Sequence, residues 1–308
     1  MEDALRFTSC GAFAGNDLTL LREDLLPLAC GGNKVRIALK LLEDAQAKGA
    51  DHIVAYGNAR SNLCRVVAML CAREGIPCTV ISPSDDDGGH VESINARIAV
   101  GCGAEIVRCD KGAGVADVVQ GTLDRLAAAG RRPYYVFGDR FGKGNETVLA
   151  SAYREIGREL AGIASKGEMR FDRIALAVGT GSTCGGLLAG LRESGCGVPV
   201  TGFTIARDRV RCAEGVKTFL AACGCPAEPE IVDCARTGGY GKVCAEELGF
   251  LADFMKRASI ALDPVYAGKA LWGLYRHLSE GNVTGERILF VHTGSWPLAA
   301  EGIINGNS

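Results

Sequence analysis

The stretch LACGGNKVRIAL, residues 28–39, places a lysine directly behind two glycines and an asparagine, at the start of a predicted helix. Polar and apolar residues interleave at helical spacing after Lys34, and Gly49 is the predicted stop. The charged head of a lysine usually lies in water, so one interpretation of Lys34 is an ordinary surface residue. The other interpretation is a lysine that is buried in a cleft and bonded to a ligand.

Strand and helix patterns alternate along nearly the whole chain on either side of this stretch. Short apolar segments such as HIVAYG (52–57), PCTVIS (77–82) and RIALAVG (173–179) predict buried strands, and amphipathic segments between them predict helices. This alternation is typical of parallel sheets that are covered by helices on both faces. The predicted fold class is therefore α/β, with two doubly wound, mostly parallel-sheet domains.

The two runs of strands and helices are not separated by a linker rich in proline, glycine or serine, so the chain is expected to cross between domains more than once. We predict a smaller α/β domain at residues 44–145, inserted into a larger α/β domain that consists of residues 1–43 and 146–308. In folds of this kind, ligands bind beyond the carboxyl ends of the parallel strands. The turns after the predicted strands are therefore the places to search for function.

The composition is that of an ordinary globular chain of 308 residues, with 47% hydrophobic and 23% charged residues. The 34 basic and 36 acidic residues are mixed along the chain, which gives no electrostatic footprint for nucleic acid or an anionic membrane. No apolar run reaches the ~18 residues that a bilayer span needs, and MEDALRFTSC at the start does not read as a signal peptide. We expect a cytoplasmic protein that binds neither nucleic acid nor membranes.

The 14 cysteines are scattered along the chain from Cys10 to Cys244, and none forms a C-x-x-C pair. A structural zinc site usually takes two such pairs or a cluster of cysteine and histidine. Positions such as Cys71 and Cys78 would suit alanine or valine in a core, where a free cysteine behaves as a small hydrophobe. We expect neither a bound metal nor disulfides.

The segment AVGTGSTCGGLLAGL, residues 177–191, predicts an anion site where a strand runs into a helix. Small residues let backbone N–H groups approach an anion, the helix N-terminus adds a favourable dipole, and the hydroxyls add donors. The sequences G-x-x-x-x-G-K-[ST] and G-x-G-x-x-G, which mark nucleotide sites, are both absent from it. The phosphate of a small molecule is therefore the predicted ligand, and a glycine-rich turn without a ligand is the alternative.

Two further segments follow predicted strands and carry hydroxyl or amide side chains. YGNARSNLCR, residues 56–65, suits either a turn with a helix N-cap or part of a binding site. ILFVHTGSWPL, residues 288–298, places a histidine and a threonine after the last strand. A lysine that is desolvated in a cleft loses basicity and can form a Schiff base. Such a lysine together with a phosphate site points to pyridoxal phosphate, which carries an aldehyde and a phosphate.

These segments resemble the family of D-cysteine desulfhydrase and 1-aminocyclopropane-1-carboxylate (ACC) deaminase, which are fold-type II pyridoxal-phosphate enzymes related to the tryptophan synthase β subunit. The resemblance covers nearly the whole chain, and each of its motifs is weak alone but strong in combination. The matching segments are GGNKVRIALKLLEDAQAKGADHIVAYGNARSNLCR (31–65), AVGTGSTCGGL (177–187), GGYGK (238–242), DPVYAGKALWGL (263–274) and LFVHTG (289–294).

The resemblance implies a role for each matching residue. Lys34 would form the Schiff base with the cofactor and move the Cα proton of the substrate. Thr293 would meet the pyridine nitrogen, where a neutral hydroxyl suits β-elimination more than transamination. The other implied cofactor contacts are Asn62 at the 3′-oxygen and, at the phosphate in the larger domain, Gly179, Thr180, Gly181, Ser182 and Thr183. The implied substrate-facing residues are Ser61, which is a candidate proton carrier, Tyr240 and Tyr266; without the resemblance, the two tyrosines would read as a turn residue and a packed residue.

The sequence departs from the family pattern mainly on the substrate side. Ile37 replaces a lysine that would help to hold the phosphate, and Arg60 and Leu63 flank the Ser-Asn pair where glutamine and histidine are usual. Ala267 follows the DPVY segment where threonine or glutamate is usual, and Trp296 follows the turn after the last strand. Arg60 suits either a substrate with a second anionic group or a surface role.

The predicted function is that of a pyridoxal-phosphate-dependent lyase acting on a small amino acid. Cα deprotonation and β-elimination would give a 2-oxo acid and ammonia, and D-cysteine would give pyruvate, sulfide and ammonia. ACC ring opening, β-replacement and racemisation are alternatives within the same chemistry. A pyridoxal-phosphate-binding protein with little catalysis and an unrelated nucleotide-binding α/β protein are alternatives from other classes. The resemblance also implies a homodimer.

Overall fold

The computed structural model describes residues 4–85, 88–112, 114–234, 241–294 and 296–305. The chain divides into two compact units, a larger one of residues 1–33 and 150–308 and a smaller one of residues 34–149. These divisions differ from the predicted boundaries at 44 and 145. The first one differs because the helix that begins at Lys34 packs against the next helix of the smaller unit.

The structural elements are named in chain order. They are β1 (Phe7–Phe13), β2 (Asn16–Arg22), a short 3-10 helix (Glu23–Leu25), α1 (Lys34–Ala47), β3 (His52–Tyr56), α2 (Asn62–Glu74), β4 (Cys78–Pro83), α3 (Ile94–Gly101), β5 (Glu105–Cys109), α4 (Val115–Ala128), β6 (Pro133–Tyr135), α5 (Glu146–Ser165), β7 (Arg173–Val178), α6 (Ser182–Glu193), β8 (Val200–Thr204), α7 (Arg209–Ala222), β9 (Glu230–Val232), α8 (Ala245–Ala258), α9 (Ala267–Glu280), β10 (Arg287–His292) and α10 (Trp296–Asn305).

The sheet of the larger unit has the strand order β1-β2-β10-β7-β8-β9 among the described residues. Every pair in it is parallel except β1 and β2, which form an antiparallel hairpin. Strands β8 and β10 are buried at nearly every position, as expected when both faces of a sheet are covered. The carboxyl ends of β7 and β10 therefore lie at the same edge of this sheet, where the predicted anion site and Thr293 follow them.

The smaller unit holds a second sheet, with the parallel strand order β5-β4-β3-β6 in the part of the chain that the structure describes. Strand β4 is buried along its whole length, and α2 packs against both α1 and α3. Both sheets have the mostly parallel arrangement that the alternation of apolar and amphipathic segments predicts. The predicted α/β fold class is confirmed.

Seven of the 14 cysteines are buried, as predicted for a free cysteine that packs as a small hydrophobe, whereas Cys30 is exposed. Cys71 and Cys78 are 0% and 6% exposed, and each of the 14 cysteines is a free thiol. Burial raises the pKa of the thiols of Cys64 and Cys184 to about 12, so neither is a nucleophile near neutral pH. Across the described ranges, the helices lack the combination of length and apolarity that spanning a bilayer takes.

Helices α5 and α6 contact each other through their backbones, and this contact fixes where α6 lies in the larger unit. A methyl group added at Gly190 would lie 2.0 Å from the carbonyl oxygen of Arg154. One added at Gly186 would lie 2.3 Å from the carbonyl oxygen of Ala150. No side chain fits at these distances, so the helix that carries the predicted anion site at its start needs both glycines.

We expect Gly190→Ala to lower the free energy of unfolding by about 2 kcal/mol, because the strain of overpacking exceeds the gain in helix propensity. The matched control is Gly162→Ala in α5, where an added methyl group would meet no atom within 4 Å. This control should raise the free energy of unfolding by up to about 1 kcal/mol. Urea unfolding of the two variants measures the difference, and equal midpoints would contradict the backbone contact.

Candidate active site

Lys34 begins α1, and the residues before it form a tight loop. Gly31 and Gly32 have φ angles of 70° and 99°, which lie in the left-handed region that favours glycine. A methyl group added at Gly31 would lie 2.2 Å from the carbonyl oxygen of Asp24. One added at Gly32 would lie 2.6 Å from the carbonyl oxygen of Gly294. The two glycines therefore let the chain pass close to its neighbours just before Lys34.

Asn33 joins this loop to two other segments of the larger unit. Its backbone N–H donates to the carbonyl oxygen of Thr293 at 2.8 Å, and its Nδ2 donates to Oγ1 of Thr183 at 2.9 Å. The side chain is only 6% exposed, so both bonds are sheltered from water. The residue before Lys34, the start of α6 and the turn after β10 are thereby held together. Sequence patterns did not reveal this role, because Asn33 and Thr183 are 150 positions apart.

The side chain of Lys34 is half-buried, and burial lowers the pKa of its amine to about 8. Desolvation has this effect because it disfavours the charged ammonium form. An amine with such a pKa is partly neutral near pH 7 and can act as a nucleophile or accept a proton. The lowered pKa therefore favours the interpretation of Lys34 as a ligand-binding lysine.

Residues 179–183 connect β7 to α6 and have the features of an anion cradle. Gly181 has a φ of 103°, and a methyl group added there would lie 2.6 Å from the backbone nitrogen of Val216. It precedes α6 without a capping side chain, whereas the buried hydroxyls of Ser182 and Thr183 stand in the first turn. The first N–H groups of a helix have no partner inside the helix, so this helix start fits a phosphate group.

His292 fixes the turn that holds Thr293. The N–H of Gly294 donates to Nδ1 of His292 at 3.1 Å, and Nε2 lies 3.2 Å from the carbonyl oxygen of Ala261. Because a carbonyl oxygen can only accept, Nε2 carries the proton and the ring is the neutral tautomer. Burial also lowers the pKa of this imidazole, which keeps it neutral. From the sequence alone, His292 could not be distinguished from a core histidine. Its two hydrogen bonds show that it holds the turn at Thr293 in place.

In the smaller unit, Ser61 and Asn62 stand at the start of α2. Ser61 is the N-cap, and its Oγ accepts a hydrogen bond from the backbone N–H of Cys64 at 3.2 Å. A methyl group added at Gly57 would lie 2.6 Å from this Oγ, so the glycine makes room for the cap. Asn62 is 6% exposed. Ser61 therefore caps α2, as one interpretation of the sequence predicted. Its hydroxyl proton can still be donated to a ligand.

Tyr266 precedes α9 in the larger unit and is half-buried against the core of that unit. Its backbone N–H and that of Ala267 donate to the carboxylate of Asp263, at 2.6 and 3.2 Å. The aspartate of the DPVY segment thus fixes the backbone at Tyr266. Tyr240, the other predicted substrate-facing tyrosine, lies outside the described residues. Two residues further on, the carbonyl oxygen of Lys242 accepts a 2.7 Å hydrogen bond from Nζ of Lys269.

The positions that depart from the family pattern are mostly buried. Ile37, Leu63 and Ala267 are 1%, 8% and 0% exposed. Arg60 is half-buried, and its Nη1 lies 3.4 Å from Asp85, so its charge is compensated within the smaller unit. An apolar residue at 37 therefore suits the core of the smaller unit, where a lysine would need a partner.

In the smaller unit, the half-buried Lys34 amine with a pKa of about 8 suits Schiff-base formation with an aldehyde. In the larger unit, the start of α6 suits a phosphate group. Fold and site together define a pyridoxal-phosphate-dependent enzyme. Comparison with known protein families supports this class. The family described as pyridoxal-phosphate-dependent enzymes matches residues 4–294, so the chain belongs to this family.

Relatives and solved structures agree with this assignment. D-cysteine desulfhydrase of Yersinia enterocolitica is 29% identical over 299 residues, which cover 92% of this chain and 88% of the relative. D-cysteine desulfhydrase of Klebsiella pneumoniae is 28% identical over 293 residues, with the same coverage of 92% and 88%. The crystal structure of an ACC deaminase homologue has a TM-score of 0.84 and 27% identity, and the match covers 98% of this chain and 92% of that one. The predicted family, fold type, cofactor and lyase class are confirmed.

The first prediction for the site concerns Asn33. Asn33→Ala removes the buried amide but keeps the backbone bond to Thr293, so we expect pyridoxal phosphate to bind about tenfold more weakly. Asn16→Ala is the matched control, because Asn16 is equally buried in the larger unit and its Nδ2 donates to the carbonyl oxygens of Ala14 and Val283. Both variants should lose stability, and only Asn33→Ala should lose affinity in a cofactor titration. Equal affinities would show that Asn33 does not shape the cradle.

The second prediction concerns the cost of burying Lys34. In protein stripped of cofactor, Lys34→Met should raise the free energy of unfolding at pH 7 by about 2 kcal/mol. Below pH 8, the pKa of Lys34 in the folded protein, burial of the ammonium destabilises the unsubstituted protein by its full amount. This destabilisation decreases as the pH rises and disappears above 10.5, the ordinary pKa of a lysine. Lys40→Met is the control, since Lys40 pairs with exposed Glu43 on the same helix. Identical stability changes in the two variants across this pH range would indicate that Lys34 is an ordinary surface lysine.

Proposed function

We propose that this protein releases the β-substituent of a small amino acid, with D-cysteine as the first candidate substrate, and forms a 2-oxo acid and ammonia. The observation that carries the proposal is the lowered pKa of Lys34 in a chain that matches D-cysteine desulfhydrases over 92% of its length. For D-cysteine, the balanced reaction consumes one water and gives pyruvate, hydrogen sulfide and ammonia.

Bound pyridoxal phosphate supplies the electron sink that makes the Cα proton of an amino acid acidic. The residues of the chain supply binding and proton transfer. Nζ of Lys34 holds the cofactor and then accepts the Cα proton, because an amine with a pKa of about 8 is neutral often enough to act as a base. Ser182 and Thr183, at the start of α6, bind the phosphate with their hydroxyls and the helix N–H groups.

The side chains of Thr293 and Asn62 set the electronic state of the cofactor in this proposal. Thr293 offers a neutral hydroxyl to the ring nitrogen, which leaves the nitrogen without a full charge and favours elimination over transamination. Asn62 offers an amide donor to the 3′-oxygen. Neither contact adds a charge near Lys34, so its amine keeps the low pKa that the reaction needs.

On the substrate side we assign Ser61 as the proton carrier and Tyr266 and Tyr240 as substrate contacts. Ser61 fits this role because the N-cap bond uses its oxygen as an acceptor and leaves the O–H to donate. The pairing of Arg60 with Asp85 argues against a substrate that carries a second anionic group. A small neutral β-substituent such as a thiol is therefore preferred to a sulfonate.

ACC ring opening is the second candidate, because the structural match to an ACC deaminase homologue covers 98% of this chain. ACC has no proton on its Cα, so that reaction cannot begin with deprotonation of Cα by Lys34. The two candidates therefore differ in their first step. Product analysis distinguishes them directly.

The test is a panel of D-cysteine, L-cysteine, cysteate, diaminopropionate and ACC, with 2-oxo acid, sulfide and ammonia measured for each. We expect D-cysteine to give the three products in equal amounts. Lys34→Ala should lose both the visible absorbance of the bound cofactor and the turnover, whereas Lys40→Ala on the same helix should keep both. Turnover of ACC alone would show that the protein is an ACC deaminase. An unchanged spectrum with no product from any amino acid would show that the protein binds the cofactor without acting on these substrates.

We also propose that the enzyme acts in the cytoplasm as a homodimer. The composition and the family resemblance support this assignment. Light scattering of the purified holoenzyme measures the mass directly, and the mass of a single chain would contradict the dimer.

A further inference from the structure

Asn95 lies on α3 in the smaller unit and contacts the start of α2. It is the second residue of its helix and is 1% exposed. Its Nδ2 donates to the carbonyl oxygen of Arg60 at 3.0 Å and to Oδ1 of Asn62 at 2.8 Å. One buried amide therefore bridges two positions that flank Ser61.

The bond to Arg60 fixes which way the amide of Asn95 faces. A backbone carbonyl oxygen can only accept a hydrogen bond, so the atom of Asn95 that faces it must be the NH₂ group. A rotated amide would place Oδ1 against this carbonyl oxygen, and two acceptors would then repel each other. Oδ1 of Asn95 is buried and accepts no hydrogen bond from the described residues, so the amide is anchored through Nδ2.

The orientation of Asn95 in turn fixes the orientation of the Asn62 amide. Because the NH₂ group of Asn95 is a donor, the atom of Asn62 that it contacts must be the acceptor Oδ1. The opposite side of the Asn62 amide is then its NH₂ group. The orientation of Asn62 is thus determined by a chain of two hydrogen bonds that begins at a backbone carbonyl oxygen.

We propose that Asn95 is a positioning residue that orients Asn62 as a hydrogen-bond donor toward the 3′-oxygen of pyridoxal phosphate. The inference rests on the role of Asn62 proposed above and extends it to a residue of another helix. Asn95 does not touch the cofactor in this arrangement. It decides which end of the Asn62 amide is presented to the ring, and so whether the ring oxygen meets a donor or an acceptor.

A donor at the 3′-oxygen stabilises the deprotonated oxygen and lowers the proton affinity of the cofactor when it is bound to Lys34. Without the hydrogen bond from Asn95, the orientation of the Asn62 amide is less well fixed, and this stabilisation is weakened. Loss of Asn95 should therefore weaken cofactor binding and raise the pH at which the visible absorbance of the bound cofactor changes. A purely structural role for Asn95 would lower stability without moving that pH.

The test uses the holoenzyme without substrate. Asn95→Leu keeps the approximate shape of the side chain and removes the donor. We expect a loss of pyridoxal-phosphate affinity of about tenfold and an upward shift of the spectral pH midpoint by about one pH unit. Asn145→Leu is the matched control, because Asn145 is buried in the same unit and its Nδ2 donates to the hydroxyl of Tyr134 and the carbonyl oxygen of Tyr135.

A double-mutant cycle with Asn62→Ala decides whether Asn95 acts through Asn62. In the Asn62→Ala background, Asn95→Leu should change neither the affinity nor the spectral midpoint further. Additive effects in the cycle, or an unmoved midpoint in Asn95→Leu alone, would overturn the proposal. If Asn95→Leu does not fold, Asn95→Ser is used with the same criteria, since its hydroxyl is too short to reach Asn62. Neither the affinity nor the spectral midpoint requires turnover. The role of Asn95 is therefore tested even if the enzyme does not act on D-cysteine.

Discussion

The candidate site depends on one buried amide. Asn33 joins the loop before Lys34 to the turn at Thr293 and to the start of α6, and each of these segments carries a residue assigned to the cofactor. Gly31 and Gly32 make this junction possible, because any side chain there would collide with a neighbouring backbone. The position of Lys34 follows from the packing of the residues before it.

The alternation of apolar and amphipathic segments was enough to predict the α/β class and most of the parallel strands. The same pattern did not predict the hairpin of β1 and β2. The turn at Ala14 and Gly15 lacks the Asn-Gly or Asp-Gly pair that usually marks a hairpin in a sequence. Both turn residues have positive φ angles, of 49° and 77°, and in the sequence only the glycine suggests this. The start of the smaller unit was placed ten residues too late, because helical spacing locates α1 but does not show that it packs on α2.

Sequence patterns single out candidate residues whose chemistry is visible in the residue type, such as Lys34 and the hydroxyls of residues 182–183. Sequence patterns do not reveal residues that hold others in place. Asn33, His292 and Asn95 each make a hydrogen bond that depends on geometry, and two of these bonds join segments far apart in sequence. No periodicity encodes such a contact. A buried amide or imidazole becomes recognisable only when its partners are known.

Asn33 is neutral, and its neutrality matters for the proposed reaction. Burial is the cause that lowers the pKa of Lys34 to about 8. A carboxylate at position 33 could accept a hydrogen bond from the hydroxyl of Thr183, but a negative charge next to Lys34 would favour the ammonium and return its pKa toward 10.5. The amine would then be protonated near neutral pH and could not act as the base that we propose. An asparagine supplies the same reach as an aspartate without the charge, which gives a physical reason for the Asn-Lys pair with which the site begins.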